Sequence, residues 1–178
     1  MRIIGGEHGG RRFNPPGNMP YTRPTTDVAK EGLFNVLQNN LDFEELKTLD
    51  LFGGTGSISY ELASRGVRDL TIVEKDNSMY DFIKKTALDL AFPNFRVVKA
   101  DVFKFIESAS GQYDFIFAGP PYALGTIDEL PRKIIEKKLL KTGGWFVLEH
   151  TPRNDYKKFA HYKTERNYGT TIFSIFIM

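Results

Sequence analysis

Five short apolar runs alternate with stretches of helical periodicity between Thr48 and Glu149, and that order leaves few ways to fold. The runs are Thr48–Phe52, Asp69–Glu74, Phe95–Ala100, Tyr113–Ala118 and Trp145–Glu149. A glycine turn after the first leads into a helix reaching Ser64, and further helices are expected over Ser78–Ala91, Val102–Ser108 and Ile127–Leu139. Repeated strand–helix–strand units demand a parallel sheet with helices on both faces, because parallel neighbours can be joined only by a crossover that returns along the sheet. Two more strands, His161–Arg166 and Thr170–Met178, are separated only by Asn167-Tyr168-Gly169, which suits a hairpin and is too short for a crossover helix. The expectation is an α/β fold with a seven-stranded, mostly parallel sheet and an antiparallel C-terminal strand.

Ahead of the sheet, Ile3–Pro16 is rich in glycine and carries Arg11-Arg12-Phe13 after Gly9-Gly10, the pattern of a short hairpin or arm with little core of its own. Pro24 cannot lie inside a helix, whereas Thr25 or Thr26 can cap one and Asp27 suits its first turn. Ala29, Leu33, Val36 and Leu37 then share one helical face. Residues 1–41 are accordingly set apart, as an arm and helix, from a sheet domain over residues 42–178.

With 178 residues, 41% hydrophobic and 26% charged, the chain has room for one well-buried domain plus an appendage. It has no cysteine, which excludes disulfides, thiolate zinc sites and thiol catalysis. His8, His150 and His161 are scattered without ligand spacing, so no metal is expected. Neither a signal peptide nor a membrane-spanning run is visible, and a cytoplasmic location is the default expectation. The net charge of +2 is unevenly spread: basic residues outnumber acidic ones in residues 1–41 and 130–178, while acidic residues dominate between them. A polyanion would be drawn to the flanks, and a cationic ligand to the centre.

In an open parallel sheet the ligand sits beyond the carboxyl ends of the strands. The first strand ends in Asp50-Leu-Phe-Gly-Gly-Thr-Gly56, where Gly53, Gly54 and Gly56 let the backbone approach a ligand closely and Phe52 is a further candidate cofactor contact. Glu74 ends the second strand and can accept hydrogen bonds from ribose hydroxyls. Asp101 follows the third, where its carboxylate or the Val102 N–H can read an adenine edge. The run from Gly54, Gly-Thr-Gly-Ser-Ile-Ser, lacks the third glycine of a dinucleotide fingerprint, so NAD fits poorly. The fourth strand ends in Gly119-Pro120-Pro121-Tyr122, whose two prolines make a rigid exit with outward, unpaired carbonyls beside an aromatic ring. Such a corner suits a flat, amine-bearing base.

The whole chain resembles the class I S-adenosylmethionine-dependent methyltransferases, and specifically the RsmD-like family that methylates the exocyclic N2 of a guanine in 16S ribosomal RNA. The resemblance covers nearly all of the sequence. It rests on Met1-Arg-Ile-Ile-Gly-Gly, on Arg23-Pro-Thr-Thr-Asp27 with Glu31 and Leu33-Phe-Asn35, on the Asp50 to Gly56 loop, and on Pro120-Pro121-Tyr122. It implies a Rossmann-like class I methyltransferase fold, S-adenosyl-L-methionine as cofactor, and 16S rRNA or an assembling small ribosomal subunit as partner of a monomeric enzyme. On this resemblance Gly54 and Gly56 line the methionine and adenosine portions, Glu74 holds the ribose, Asp101 contacts the adenine, and Asp50 supports the loop. The Arg23 to Thr26 segment closes over the site, and the arm reaches RNA through Arg11 and Arg12.

The family pattern has an acid where this chain has Gly119, and no substitute stands within the motif. A guanine amine gains positive charge as it attacks a methyl group, and a carboxylate accepting its N–H bonds stabilises that charge. Without such an acceptor a reaction typically slows by about 10² to 10³, so a slow enzyme is expected. Two other readings stay open: an RNA-binding protein that keeps the cofactor as a structural ligand, and a methyltransferase for another amine, which the basic flanks disfavour.

Overall fold

A computed structural model describes residues 1–17 and 24–178. The elements follow in the order α1 (Asp27–Asn40), β1 (Lys47–Leu51), α2 (Ser57–Ser64), β2 (Asp69–Glu74), α3 (Asn77–Asp89), β3 (Phe95–Lys99), α4 (Val102–Ser108), β4 (Tyr113–Ala118), α5 (Glu129–Glu136), β5 (Leu140–His150), β6 (Tyr162–Tyr168) and β7 (Thr171–Ile177). A 3₁₀ turn at Phe43–Glu45 joins α1 to β1. The sheet has seven strands in the order β3-β2-β1-β4-β5-β7-β6. β1 to β5 are parallel, and β7 is antiparallel to both of its neighbours.

Side chains of successive strand residues point to opposite faces, and the core divides accordingly. On β4, Phe115 and Phe117 join Ala29, Leu33, Phe34 and Leu37 of α1 and Ile58 and Leu62 of α2 on one face. Ile116 and Ala118 join Val102 and Ile106 of α4 and Leu130 and Ile134 of α5 on the other. Helix α1 begins where the sequence predicts: Thr26 is its N-cap, and its hydroxyl accepts from the Ala29 N–H at 3.2 Å. The arm is a small hairpin in which Ile3 N–H donates to Arg11 O at 2.9 Å and Gly10 N–H to Ile3 O at 2.8 Å. It contributes more core than expected, because Ile3 is buried and Met1 and Phe13 pack on the α1 face of the sheet.

Several boundaries move. α5 starts two residues late, because Ile127 and Asp128 belong to a turn, and it ends at Glu136, before Lys138 takes a positive φ of 52°. β5 starts at Leu140 and not at Trp145, since the irregular register between Tyr113 and Phe115 of β4 accommodates the additional residues. The last hairpin turns at Gly169, with φ 63°, so Asn167 and Tyr168 stay in β6.

Candidate active site

Strand order reverses between β1 and β4: the chain runs outward from β1 to β3 and then returns to the other side of β1. A crevice opens at the carboxyl ends of strands where this happens. Here it is a cleft of about 620 Å³, partly open to solvent, lined by Asp50, Phe52, Gly53, Gly54 and Thr55 from the β1 end and by Gly119, Pro120, Pro121 and Tyr122 from the β4 end. Thr25, ahead of α1, and Glu149, near the end of β5, complete the wall.

The turn after β1 is built for close approach. Phe52 has a φ of 63°, a conformation that costs a non-glycine residue about 1 to 3 kcal/mol and gathers at functional sites. Gly54 (φ 56°) and Gly56 (φ 83°) carry the remaining curvature, and a Cβ on Gly56 would lie 2.5 Å from the Tyr60 hydroxyl oxygen. Gly54 N–H donates to Glu74 Oε2 at 2.7 Å, and Asp76 N–H to Glu74 Oε1 at 2.8 Å. Each Glu74 oxygen therefore holds one backbone N–H and keeps a second lone pair for a ligand hydroxyl.

Gly56, Glu74, Asp101 and Val102 lie outside the lining of the cleft. They continue along the same sheet edge, where Ala100 N–H donates to Glu74 O at 3.3 Å. Asp101 is the N-cap of α4, and its Oδ1 accepts from the N–H groups of Phe103 at 3.0 Å and Lys104 at 3.2 Å. Val102 is buried at the first position of that helix. Arg11 and Arg12 are exposed on the arm hairpin. Arg23 lies outside the described residues.

Three details differ from expectation. The exit from β4 does not leave both proline carbonyls unpaired, since Pro121 O accepts from Leu124 N–H at 2.9 Å and closes a turn. Asp50 bonds a helix rather than the glycine loop: its Oδ2 accepts from the Ser59 hydroxyl of α2 at 2.6 Å. The third is Glu149, a residue that sequence reasoning passes over. Its Oε1 accepts from the Tyr122 hydroxyl at 2.8 Å and its Oε2 from the Thr25 hydroxyl at 2.7 Å. The sequence does carry a signal for it, because Glu149 follows the fifth apolar run just as Glu74 ends the second.

The cleft is electrostatically set for a cation. Asp50 is 2% exposed, and burial, reinforced by the Glu74 and Glu149 charges and opposed by the Ser59 bond, pushes its pKa up to about 8. Burial also raises the pKa of Glu149, against the bonds from Thr25 and Tyr122. Two desolvated acids on one wall gain stability when a positive group enters. A ligand bearing a sulfonium or ammonium matches that pair of acids, while Gly53 is glycine because a Cβ there would lie 2.6 Å from the Ile72 side chain. Among the described residues no group of His, Asp and Glu side chains is arranged to hold a metal ion, and no helix is long and apolar enough to cross a membrane.

Comparison with known proteins agrees with this geometry. The family model described as Conserved hypothetical protein 95 matches residues 1–177. The chain is 32% identical over 149 residues to Ribosomal RNA small subunit methyltransferase D of Escherichia coli K12, covering 84% of this chain and 71% of that protein. It is 30% identical over 154 residues to the Bacillus subtilis protein named Putative rRNA methyltransferase YlbH, covering 84% and 82%. The solved structure named Putative methyltransferase yhhF from Escherichia coli superposes with a TM-score of 0.86 at 26% identity, over 99% of this chain and 97% of that one. A match along nearly the whole length, on a class I methyltransferase sheet with its cleft at the switch point, places the chain in the family described as Conserved hypothetical protein 95, the RsmD-like methyltransferases.

Proposed function

We propose that this protein transfers a methyl group from S-adenosylmethionine to the exocyclic N2 amine of a guanine in 16S ribosomal RNA. The observation that carries the reading is the shared cleft, in which the glycine turn after β1 faces the Pro120-Pro121-Tyr122 exit of β4. A cofactor on the first and a base against the second would meet in one chamber. The name of the Escherichia coli relative points to the same class of substrate.

The cofactor supplies an electrophilic methyl group on positively charged sulfur. Glu149 faces that charge from the wall of the cleft, and the backbone at Phe52, Gly53 and Gly54 lies along the ligand. Glu74 braces Gly54 and offers its remaining lone pairs to the ribose, while Asp101 and the Val102 N–H serve the adenine. Pro120 and Pro121 form a wall of fixed shape, and Tyr122 stacks on a base turned out of its helix. Orienting amine and methyl group in this way is a large part of the rate enhancement such an enzyme needs. Arg11, Arg12 and Arg23 contact RNA phosphates, and residues 1–41 act as a lid over the domain of residues 42–178. The Thr25–Glu149 hydrogen bond supports that lid.

The test is methyl transfer from labelled S-adenosylmethionine to small-subunit particles lacking the modification, with naked 16S rRNA as a second substrate. Digestion of the product to nucleosides is expected to yield labelled N2-methylguanosine. Label in protein, in another nucleoside or nowhere would overturn the reading.

A further inference from the structure

The acceptor missing from Gly119 stands on the adjacent strand. Ala118 of β4 pairs with Leu148 of β5 in parallel register. The residues that follow, Gly119 and Glu149, therefore come to the carboxyl edge of the sheet side by side. A Cβ on Gly119 would lie 3.7 Å from Glu149 Oε2, so this carboxylate reaches the space that an acid at position 119 would fill. Glu149 is 3% exposed and lines the same cleft as Pro120, Pro121 and Tyr122. Tyr122 and Thr25 each donate to one of its oxygens and fix its plane. Every carboxylate oxygen offers two lone pairs, which leaves each of these oxygens able to accept one more hydrogen bond.

We propose that Glu149 is the catalytic residue that accepts the N–H of the substrate amine, in place of the acid that Gly119 lacks. The proposal rests on the methyl-transfer reading above. The nitrogen lone pair forms the new N–C bond while the methyl–sulfur bond breaks, and the bonding pair remains on sulfur as a neutral thioether. The methylated nitrogen is then cationic; its proton passes to the Glu149 carboxylate and on to water. Burial raises the pKa of Glu149, which makes it a better proton acceptor than an exposed glutamate. The groups that face it are Asp50 from β1, Tyr122 from the β4 exit, Thr25 from the lead into α1, and Thr171 of β7 by way of Tyr122. His150, next on β5, is bonded to Thr151 O and to Ser174 of β7.

Glycine at 119 then has a reason. A second carboxylate there would crowd the Phe117 ring, whose Cε1 would lie 3.0 Å from the added Cβ, and would set two acids together that cannot both ionise cheaply.

The experiment compares four proteins, the wild type, Glu149→Gln, Gly119→Asp and the double variant, in single-turnover methylation of unmodified small-subunit particles at saturating cofactor. Cofactor affinity is measured by calorimetry and the rate is followed against pH. Glu149→Gln is expected to slow transfer by about 10² to 10³, well beyond any loss of cofactor affinity. The acid limb of the wild-type pH–rate profile should be lost with it. Gly119→Asp alone should give no gain, whereas in the Glu149→Gln background it should restore about tenfold or more of the rate. A wild-type rate in Glu149→Gln, equal effects of Gly119→Asp in both backgrounds, or a rate loss matched by an equal loss of cofactor affinity would each overturn the assignment while leaving methyl transfer in place. Absence of transfer by the wild-type protein would overturn the function itself, and the assignment with it.

Discussion

Gly54 donates its backbone N–H to Glu74 Oε2 at 2.7 Å, so the turn after β1 is held in shape by the acid that ends β2. A ligand lying along that turn meets a surface fixed from behind. Glu74→Ala should leave the Gly54 and Asp76 N–H groups without their acceptor and remove lone pairs offered to the ribose. The expected loss of S-adenosylmethionine affinity is about 1 to 3 kcal/mol. Calorimetry on the folded variant is the check, and unchanged affinity would detach Glu74 from the cofactor.

The pH dependence of stability follows from Asp50. Its carboxyl, raised to about 8 in the fold, stays protonated at neutral pH, whereas in the unfolded chain it ionises from about 4 upward. Its contribution is complete below the unfolded value and is lost as pH rises through the folded one. Glu149, also raised, acts in the same direction. Asp50→Asn keeps an oxygen for the Ser59 hydroxyl and removes the ionisation. Denaturant unfolding of the ligand-free protein should therefore show a smaller loss of stability between about pH 5 and about pH 9 in the variant than in the wild type. Parallel curves for the two would contradict this.

Binding to 16S rRNA should depend on Arg11 and Arg12. Both are exposed on the arm, while the nearby Arg2 is tied to Asp27 at 2.7 Å. Replacing both by alanine should weaken RNA binding, with cofactor affinity untouched. The log–log salt dependence should flatten by about one unit for each phosphate that the arm no longer neutralises. A salt slope equal to that of the wild type would place the RNA-binding surface elsewhere.

Packing makes Gly32 a fourth test. A Cβ there would lie 2.2 Å from the Tyr168 ring, where β6 meets α1. Gly32→Ala gains helix propensity and yet should destabilise the protein by about 1 to 3 kcal/mol, because the ring has to move. Thermal or denaturant unfolding reads the sign. A stabilised variant would show that β6 yields at no cost.

How much of the molecule is legible in its sequence depends on how local each cause is. β4 and α4 have the limits that the sequence predicts, because Asp101 caps α4 from the neighbouring position and Phe115–Ala118 alternates between the two core faces. Thr26 likewise caps α1 through a bond to the residue three positions on. β5 is longer than its apolar run, since its early residues are strand only by pairing with a β4 that shifts register. The two carboxylate bonds that most shape the cleft, Ser59 to Asp50 and Tyr122 to Glu149, span 9 and 27 residues. A motif read along the chain sees Gly119 as an empty position. Only the pairing of β4 with β5 puts Glu149 beside it.

Helix α2 has an unusual burden for its eight residues. Ser57 meets Lys30 of α1 at 3.1 Å, Ser59 holds Asp50, and Glu61 accepts the N–H groups of Ile4 at 2.9 Å and Gly5 at 2.8 Å from the arm. Ser64 donates to Gly5 O at 2.6 Å. In a genetic screen, substitutions in this helix would therefore sort into two phenotypes from positions two residues apart. Lesions at Ser59 would mimic a cofactor defect and lesions at Glu61 an RNA-docking defect, although neither side chain needs to touch the cofactor or the RNA.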